Sequence, residues 1–229
     1  MSTPITGISS MATRALLAEL AAAYERESGQ AVTIESVGGV DAARRLQAGE
    51  VFDVVVLASD AIDRLLQSGH AVAGSKVDLV HSGVAIAVAA GSPRPEIGSE
   101  DALRRAVQQA RSVGYSTGPS GVALARLFER WGLADEIRER IVTPPPGVPV
   151  GHLVARGEVE LGFQQLSELM HLPGIDVIGA MPEPLQIVTT FSAAVCSAAA
   201  QPEAARRLIA YMASPAAAEA KRRQGMDPA

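Results

Sequence analysis

The sequence predicts an α/β protein made of two doubly wound lobes, and three observations support this fold class. Strand-like and helix-like segments alternate over the first 70 or so residues, and a second alternating series fills the middle of the chain. Two long apolar runs, 77–90 and 187–198, flank that middle series. Such alternation indicates parallel sheets with helices on both faces. We expect the two runs to be hinge crossings between the lobes, each lobe having its own sheet.

The first series begins with a short strand at 5–8 and a helix that ends before Gly29. The run DVVVLA at 53–58 is continuously apolar, as expected for a parallel strand that is buried on both faces. Hydroxyl and acidic residues before several helical segments are typical helix caps. The predicted elements are a strand at 5–8, a helix at 11–28, a strand at 32–37, a helix at 40–48, a strand at 53–58 and a helix ending at 68.

The second series follows the first long run. It consists of a helix at 99–111, a strand at 112–115, a helix at 120–131, a helix at 148–156 and a strand at 160–164. Two helices, 202–213 and 215–224, close the chain. We therefore predict that one lobe comprises residues 1–82 and 190–229, and that the other comprises residues 83–189.

Composition excludes several classes of function. The chain has 229 residues, is 48% hydrophobic and carries a net charge of −5, with Lys and Arg scattered and few aromatic residues. This is unlike a nucleic-acid-binding surface. A single cysteine, Cys196, offers neither an internal disulfide nor a thiolate metal site. No apolar stretch reaches the roughly 18 residues of a membrane helix. We expect no nucleic-acid partner, no membrane span, no metal and no cofactor.

Four corners between strands and helices carry small, hydroxyl-bearing or glycine residues. A helix N-terminus presents unpaired backbone N–H groups and a partial positive charge, and small residues let an anion approach them closely. Each corner alone is better explained as an ordinary capped turn, but four together favour a small anionic ligand in a cleft between the lobes. The predicted ligand-binding residues at the corners are Ser9, Ser10, Gly38, Gly39, Val40, Ser116, Ser120, Gly121 and Val150.

A few polar residues outside these corners are further candidates. Gln164 and Gln165 end a strand-like segment, where one amide can bond a ligand while the other faces away. Arg14, one turn into the first helix, can reach a carboxylate with two hydrogen bonds, although a solvated arginine is the ordinary alternative. His152, His81 and Asp41 are the candidates for a proton-transfer role, and none of them has a visible partner in the sequence.

Four segments carry a family resemblance over nearly the whole chain. GISSMATRALLAELAAAYERESG, GGVDAARRLQAGEVFDVVVLASD, STGPSGVALARLFERWGL and VARGEVELGFQQLSEL resemble the molybdate-type branch of the type II periplasmic binding proteins. The resemblance implies that hydroxyls and backbone N–H groups at these corners hold a tetrahedral oxyanion.

The chain departs from that branch at two positions. Gly38-Gly39-Val40 stands where molybdate binders carry a serine run, and Gln164-Gln165 stands where they place a tyrosine. GFQQLSEL, LPGIDVIG and the closing GMDPA are more similar to a neighbouring branch with aconitate isomerase-like members. That resemblance implies an enzyme that moves the double bond and a proton of a tricarboxylate.

Three functions follow from these observations. The chain binds a di- or tricarboxylate in the cleft, with catalysis left open; if it is an enzyme, it is a cofactor-independent isomerase of an unsaturated carboxylate. Alternatively, it is the solute-binding protein of a molybdate-type ABC transporter that binds a tetrahedral oxyanion. A third function is a ligand sensor that passes closure to a protein partner.

The expected location depends on the N-terminus. Residues 1–10 lack a basic and an apolar export region, so the sequence as it stands is expected to be cytoplasmic. It is expected to be periplasmic if a signal peptide was removed. An ABC permease is a partner only in the exported case.

Overall fold

The computed structural model of the protein describes residues 3–145 and 147–229. The chain divides into two compact units, Met1–His81 with Thr190–Ala229, and Ser82–Thr189. We call them unit 1 and unit 2. The chain starts in unit 1 with β1 (Ile5–Ser10), α1 (Arg14–Ser28), β2 (Val32–Val37), α2 (Gly39–Gln47), β3 (Val54–Ala58), α3 (Ser59–Gln67) and β4 (Val77–Ala89), the last of which continues into unit 2.

After β4 the chain continues through unit 2 and then returns to unit 1. The helices and strands of unit 2 are α4 (Glu100–Gln109), β5 (Val113–Tyr115), α5 (Pro119–Arg130), α6 (Ala134–Ile137), β6 (Ile141–Val142), α7 (Val150–Ala155), β7 (Leu161–Gln165), α8 (Leu166–Leu169) and β8 (Ile175–Ala180). The returning segment holds β9 (Val188–Val195), α9 (Pro202–Ala213), α10 (Ala218–Arg223) and β10 (Asp227–Pro228).

Both sheets are mixed. In unit 1, β2, β1 and β3 are parallel, and β9 runs antiparallel to β3. In unit 2, β7, β5 and β6 are parallel, while β7 and β8 run antiparallel to β4. The 13-residue β4 has residues in both units: it pairs with β10 in unit 1 and with β7 and β8 in unit 2.

The core of unit 1 lies on both faces of its sheet. Val54 and Val56 of β3 belong to the cluster that includes the apolar residues of α1 and α9. Val55 and Leu57 belong to the opposite cluster, with residues of α2 and α3. Successive side chains of a strand point to opposite faces, so a strand between two helical layers must be apolar throughout. All five residues of β3 are buried, as the run DVVVLA predicted.

The core of unit 2 is organised around the second half of β4. Val84, Ile86 and Val88 pack with buried residues of α4 and α5, including Leu103 and Phe128. The intervening Ala85 and Ala87 pack with Leu169 of α8 on the other face. Helices on two faces of a largely parallel sheet leave the carboxyl ends of the parallel strands at one edge, where each chain segment turns into its helix.

Several short elements were not predicted from the sequence: α6, β6, α8, β8 and β10. They contain two to six residues each, too few for hydrophobic periodicity to become visible. The first helix also starts later than expected, because residues Met11–Thr13 form a 3-10 turn before α1. Among the described residues, no helix has both the length and the apolar character needed to cross a membrane.

Candidate functional site

The candidate ligand-binding edge of the unit 1 sheet, called the unit 1 edge below, lies at the carboxyl ends of β1 and β2. Ser9 is paired with Ser36 in the parallel ladder, and their hydroxyl oxygens are 2.8 Å apart. Gly39, the first residue of α2, lies against Ser10: a Cβ at this glycine would be 3.6 Å from the Ser10 Cβ. The first two predicted corners are thus neighbours within unit 1, because parallel strands end at the same edge.

The Ser10 hydroxyl is the chemically informative group at this edge. Ser10 is buried, and its Oγ is the one buried side-chain polar atom without a hydrogen-bond partner among residues 3–145 and 147–229. Buried hydroxyls nearly always have a partner, since an unmade hydrogen bond costs about 1–3 kcal/mol. The Ser9 hydroxyl, in contrast, is satisfied by Ser36. The unit 1 edge therefore has one free, preformed donor.

The candidate edge of unit 2 begins after β5. Gly118 is the N-cap of α5 and Pro119 is its first residue, an arrangement that suits a helix start because proline lacks the N–H that would be unpaired there. The Gly118 N–H donates to the Ser116 hydroxyl at 3.4 Å. Ser120 and Gly121 are buried in the first turn. The corner is tightly wound, with small residues facing its interior.

The two glutamines at the end of β7 have different partners. Gln164 Oε1 accepts a hydrogen bond from the Gly151 N–H of α7 at 3.3 Å, and its Nε2 donates to Glu168 Oε1 at 2.7 Å. Gln165 is oriented by Ser82 and Thr189: its Nε2 donates to the Ser82 carbonyl at 3.0 Å, while its Oε1 accepts from the Thr189 hydroxyl at 3.0 Å. This amide orientation satisfies all the groups involved. Gln165 thus joins the segments where the chain enters and leaves unit 2.

Glu168 is a candidate that the sequence analysis missed. It lies in the one-turn helix α8, directly after β7, and is partly buried. Burial raises the pKa of its carboxyl to about 7, against the opposing effect of the hydrogen bond from Gln164. A carboxyl with such a pKa exchanges protons near neutrality. The i, i+4 spacing of Gln164 and Glu168 is visible in the sequence, but it gains meaning only once the switch from strand to helix at 165–166 is known.

The remaining candidates have ordinary structural surroundings. Arg14 is exposed and the Val40 side chain is 71% exposed. Asp41 is ion-paired with Arg44 on the surface of α2. His81 Nδ1 is 3.0 Å from the Thr190 hydroxyl, and His152 is exposed.

Val150 and Gly38 complete the set. Val150 is fully buried in the core below α7, so its side chain belongs to the core. Gly38 is the N-cap of α2, and a Cβ there would meet nothing within 4 Å. The unit 1 edge thus has open space beside its first helical turn.

The described residues do not support a metal site or a reactive thiol. Within the described ranges, no group of three or more His, Cys, Asp or Glu residues is placed to hold a metal ion. Burial, and to a lesser degree Asp53, raises the pKa of the Cys196 thiol to about 12. Two surface depressions, of about 330 Å³ beside Tyr115 and about 280 Å³ beside His70, contain none of the predicted site residues. The candidate edges are therefore identified by their polar groups and not by a cavity.

Known proteins match nearly the whole chain. A family model described as bacterial extracellular solute-binding protein matches residues 5–227. A curated aconitate isomerase from Pseudomonas sp is 42% identical over 234 aligned positions, covering 99% of this chain and 88% of that protein.

Solved structures share the fold at low sequence identity. The periplasmic molybdate-binding protein of Azotobacter vinelandii superimposes with a TM-score of 0.81 at 20% identity, over 97% of this chain and 98% of that chain. The tungstate-binding protein of Desulfovibrio alaskensis G20 has a TM-score of 0.70 at 15% identity, over 99% of both chains. These structural similarities confirm the predicted fold class.

Proposed function

Since the chain belongs to the bacterial extracellular solute-binding protein family, as its resemblance predicted, we propose that it binds a small di- or tricarboxylate and isomerises an unsaturated one of the aconitate type. The observation that carries this proposal is the 42% identity with an aconitate isomerase over 99% of the chain. The alignment covers 99% of the chain and so includes both units. It favours a carboxylate over the tetrahedral oxyanions bound by the structural neighbours.

The polar groups of the two edges support an anionic ligand. The Ser10 hydroxyl is buried and unpartnered, and the adjacent α2 starts at Gly39, which has no side chain to cover the backbone of the first helical turn. In unit 2, Ser120 lies in the first turn of α5, a 12-residue helix. Helix N-termini and hydroxyl donors compensate carboxylate charge without a cation. The same donors would also stabilise the negative charge that develops on a carboxylate when a proton leaves the neighbouring carbon.

The departures from molybdate binders are consistent with a larger ligand. The Gly38-Gly39 corner has no hydroxyl to enclose a compact tetrahedral ion, and a Cβ at Gly38 would meet only open space. A planar carboxylate with several groups needs such room. The alternative is an oxyanion-binding protein that serves an ABC permease. It is consistent with the same fold, but the open Gly38-Gly39 corner does not support it.

Ligand screening and a conversion assay together test the proposal. Thermal shift and calorimetric titration would compare cis- and trans-aconitate, citrate, molybdate, tungstate and sulfate; a ligand at 100 times its Kd stabilises by about 2.7 kcal/mol. We expect an aconitate to bind more tightly than molybdate and trans-aconitate to be converted to the cis isomer in a proton NMR time course. Tighter binding of molybdate than of every carboxylate would refute the ligand class. Binding without conversion over hours would refute the isomerase activity.

A further inference from the structure

We propose that Glu168 is the residue that moves the proton in this isomerisation and that Gln164 positions it; this inference rests on the proposed function. Glu168 follows β7 by three residues, and β7 is the parallel neighbour of β5, whose carboxyl end leads to the Ser116 corner. Glu168 and that corner therefore belong to the same edge of unit 2. All the contacts that support this inference lie within unit 2.

A chain of hydrogen bonds fixes the Glu168 carboxyl. The backbone N–H of Gly151 holds the Gln164 carbonyl oxygen at 3.3 Å, so the amide nitrogen of Gln164 must face the other way. That nitrogen donates to Glu168 Oε1 at 2.7 Å. Gln164 itself is 3% exposed, so its amide cannot turn towards bulk water. One oxygen of Glu168 is thereby held in place, and the other is left to react.

The surroundings of Glu168 are apolar rather than charged. Leu166 and Leu169 of the same short helix are partly and fully buried in the small cluster that includes Ala85 and Ala87. The titratable residues of the adjoining segments are His152 on α7, His171 after α8 and Asp176 on β8. Asp176 is engaged by Arg94 and the Gly91 N–H. Burial is the main cause of the raised pKa of Glu168.

The reaction needs one group that can both take and return a proton. A proton leaves the CH₂ carbon next to the double bond, and the electron pair of the broken C–H bond forms the new double bond. The electron pair of the old double bond takes up a proton at its far carbon. The Glu168 carboxylate accepts the first proton, and the resulting carboxylic acid supplies the second, so atoms and electrons balance without a co-reactant. A carboxyl that titrates near neutral pH serves both steps.

The other proton-transfer candidates lack these features. Asp41 is ion-paired with Arg44 at the surface of α2. The His81 ring is hydrogen-bonded to the Thr190 hydroxyl. His152 is exposed on α7, where water screens and competes with it. Glu168 alone combines partial burial, a fixed orientation and a position at a candidate edge.

The test is a pair of matched glutamate variants. Glu168→Gln removes the acid–base group with little change of volume, and Glu158→Gln is the control, since Glu158 is an exposed residue of the same unit that pairs with Arg156 at 2.6 Å. We expect Glu168→Gln to bind trans-aconitate with the wild-type Kd and to lose on the order of 10²- to 10⁴-fold in kcat. Glu158→Gln should retain both values. Glu168→Asp, which keeps a carboxyl, should recover part of the lost kcat.

Gln164→Met tests the positioning role through the pH profile. The hydrogen bond from Gln164 lowers the pKa of Glu168, so its loss should move the acidic limb of kcat/KM upwards from its wild-type position near pH 7. Conversion by Glu168→Gln at the wild-type rate would overturn the role of Glu168, and an unmoved profile in Gln164→Met would overturn that of Gln164. Wild-type protein that binds aconitate without converting it would instead overturn the proposed function, and the role of Glu168 would fall with it.

Discussion

The carbonyl oxygen of Ser116 occupies the place that a Cβ would take at Gly121. The chain leaving β5 folds back over the first turn of α5 so closely that only glycine fits. A backbone atom cannot swing aside as a flexible side chain can, so the contact fixes the shape of the whole corner. The Ser116 corner is thus built by a steric requirement, independent of any ligand.

Gly121→Ala should therefore displace the corner and lower the free energy of unfolding by about 1–3 kcal/mol, as overpacking does. Carboxylate binding should weaken with it. Gly98→Ala is the matched control, because a Cβ at Gly98 meets nothing within 4 Å. Urea denaturation and calorimetric titration of both variants check this. Equal stability of the two variants would contradict the steric argument.

The Ser9 and Ser10 hydroxyls should respond to alanine substitution in opposite ways. Ser10→Ala removes a buried polar atom that has no partner, so the ligand-free protein should be as stable as wild type or more stable. Its affinity for the carboxylate should fall by about 1.5–3 kcal/mol, the contribution of one hydrogen bond to a charged group, or roughly 10- to 150-fold.

Ser9→Ala should instead destabilise the ligand-free protein by about 0.5–1.5 kcal/mol, because it breaks the bond to Ser36. Denaturation curves without ligand and titrations with trans-aconitate separate the two effects. A loss of stability in Ser10→Ala together with unchanged affinity would show that the Ser10 hydroxyl has no part in binding.

The secondary structure could be predicted from the sequence wherever burial requires a particular pattern of apolar and small residues. A strand such as β3 must be apolar on both faces, and helices such as α2 and α5 start at small residues next to parallel strand ends, so both are visible as local composition. The antiparallel course of β9 was not visible, because strand direction and pairing depend on contacts that are distant in the chain.

The sequence predicted the strand-to-helix corners of the candidate edges, but not the partners of the side chains that lie there. Gln164 and Gln165 look alike in sequence, yet one lies against α7 and Glu168 while the other joins Ser82 and Thr189. Their alternation across the strand predicts opposite directions but not what each side chain meets. Glu168 was missed because burial raises the pKa of its carboxyl, and the sequence of a four-residue helix does not indicate which of its residues are buried.

Gln165→Leu should destabilise the protein more than it affects catalysis. The substitution leaves the Thr189 hydroxyl and the Ser82 carbonyl without their buried partner, at a cost of about 1–3 kcal/mol. Thr189→Val removes the other end of one bond, so the two substitutions should be non-additive in a double-mutant cycle followed by urea denaturation. Strict additivity would mean that the two side chains are not coupled.

Lys221 lies in α10 with only 2% of its surface exposed. Burial lowers its pKa below the usual 10.5. Between the lowered folded pKa and 10.5, the unfolded chain binds a proton that the folded protein does not. The free energy of unfolding should therefore rise with pH across this window and be smallest below it, where the buried amine must be charged.

Lys221→Met keeps most of the apolar stem and removes the amine, so it should raise the free energy of unfolding slightly at pH 7, because solvent near the ammonium reduces the cost of keeping it charged. The difference from wild type should shrink as the pH rises through the folded pKa towards 10.5, and above 10.5 the wild-type amine is neutral in both states. Lys76→Met is the control: Lys76 pairs with Asp63 at 2.7 Å, so its replacement should leave stability unchanged or lower it slightly. Urea denaturation from pH 7 to 10 measures both variants. A Lys221→Met variant that is less stable than wild type at pH 7 would mean that the buried ammonium is favourably solvated.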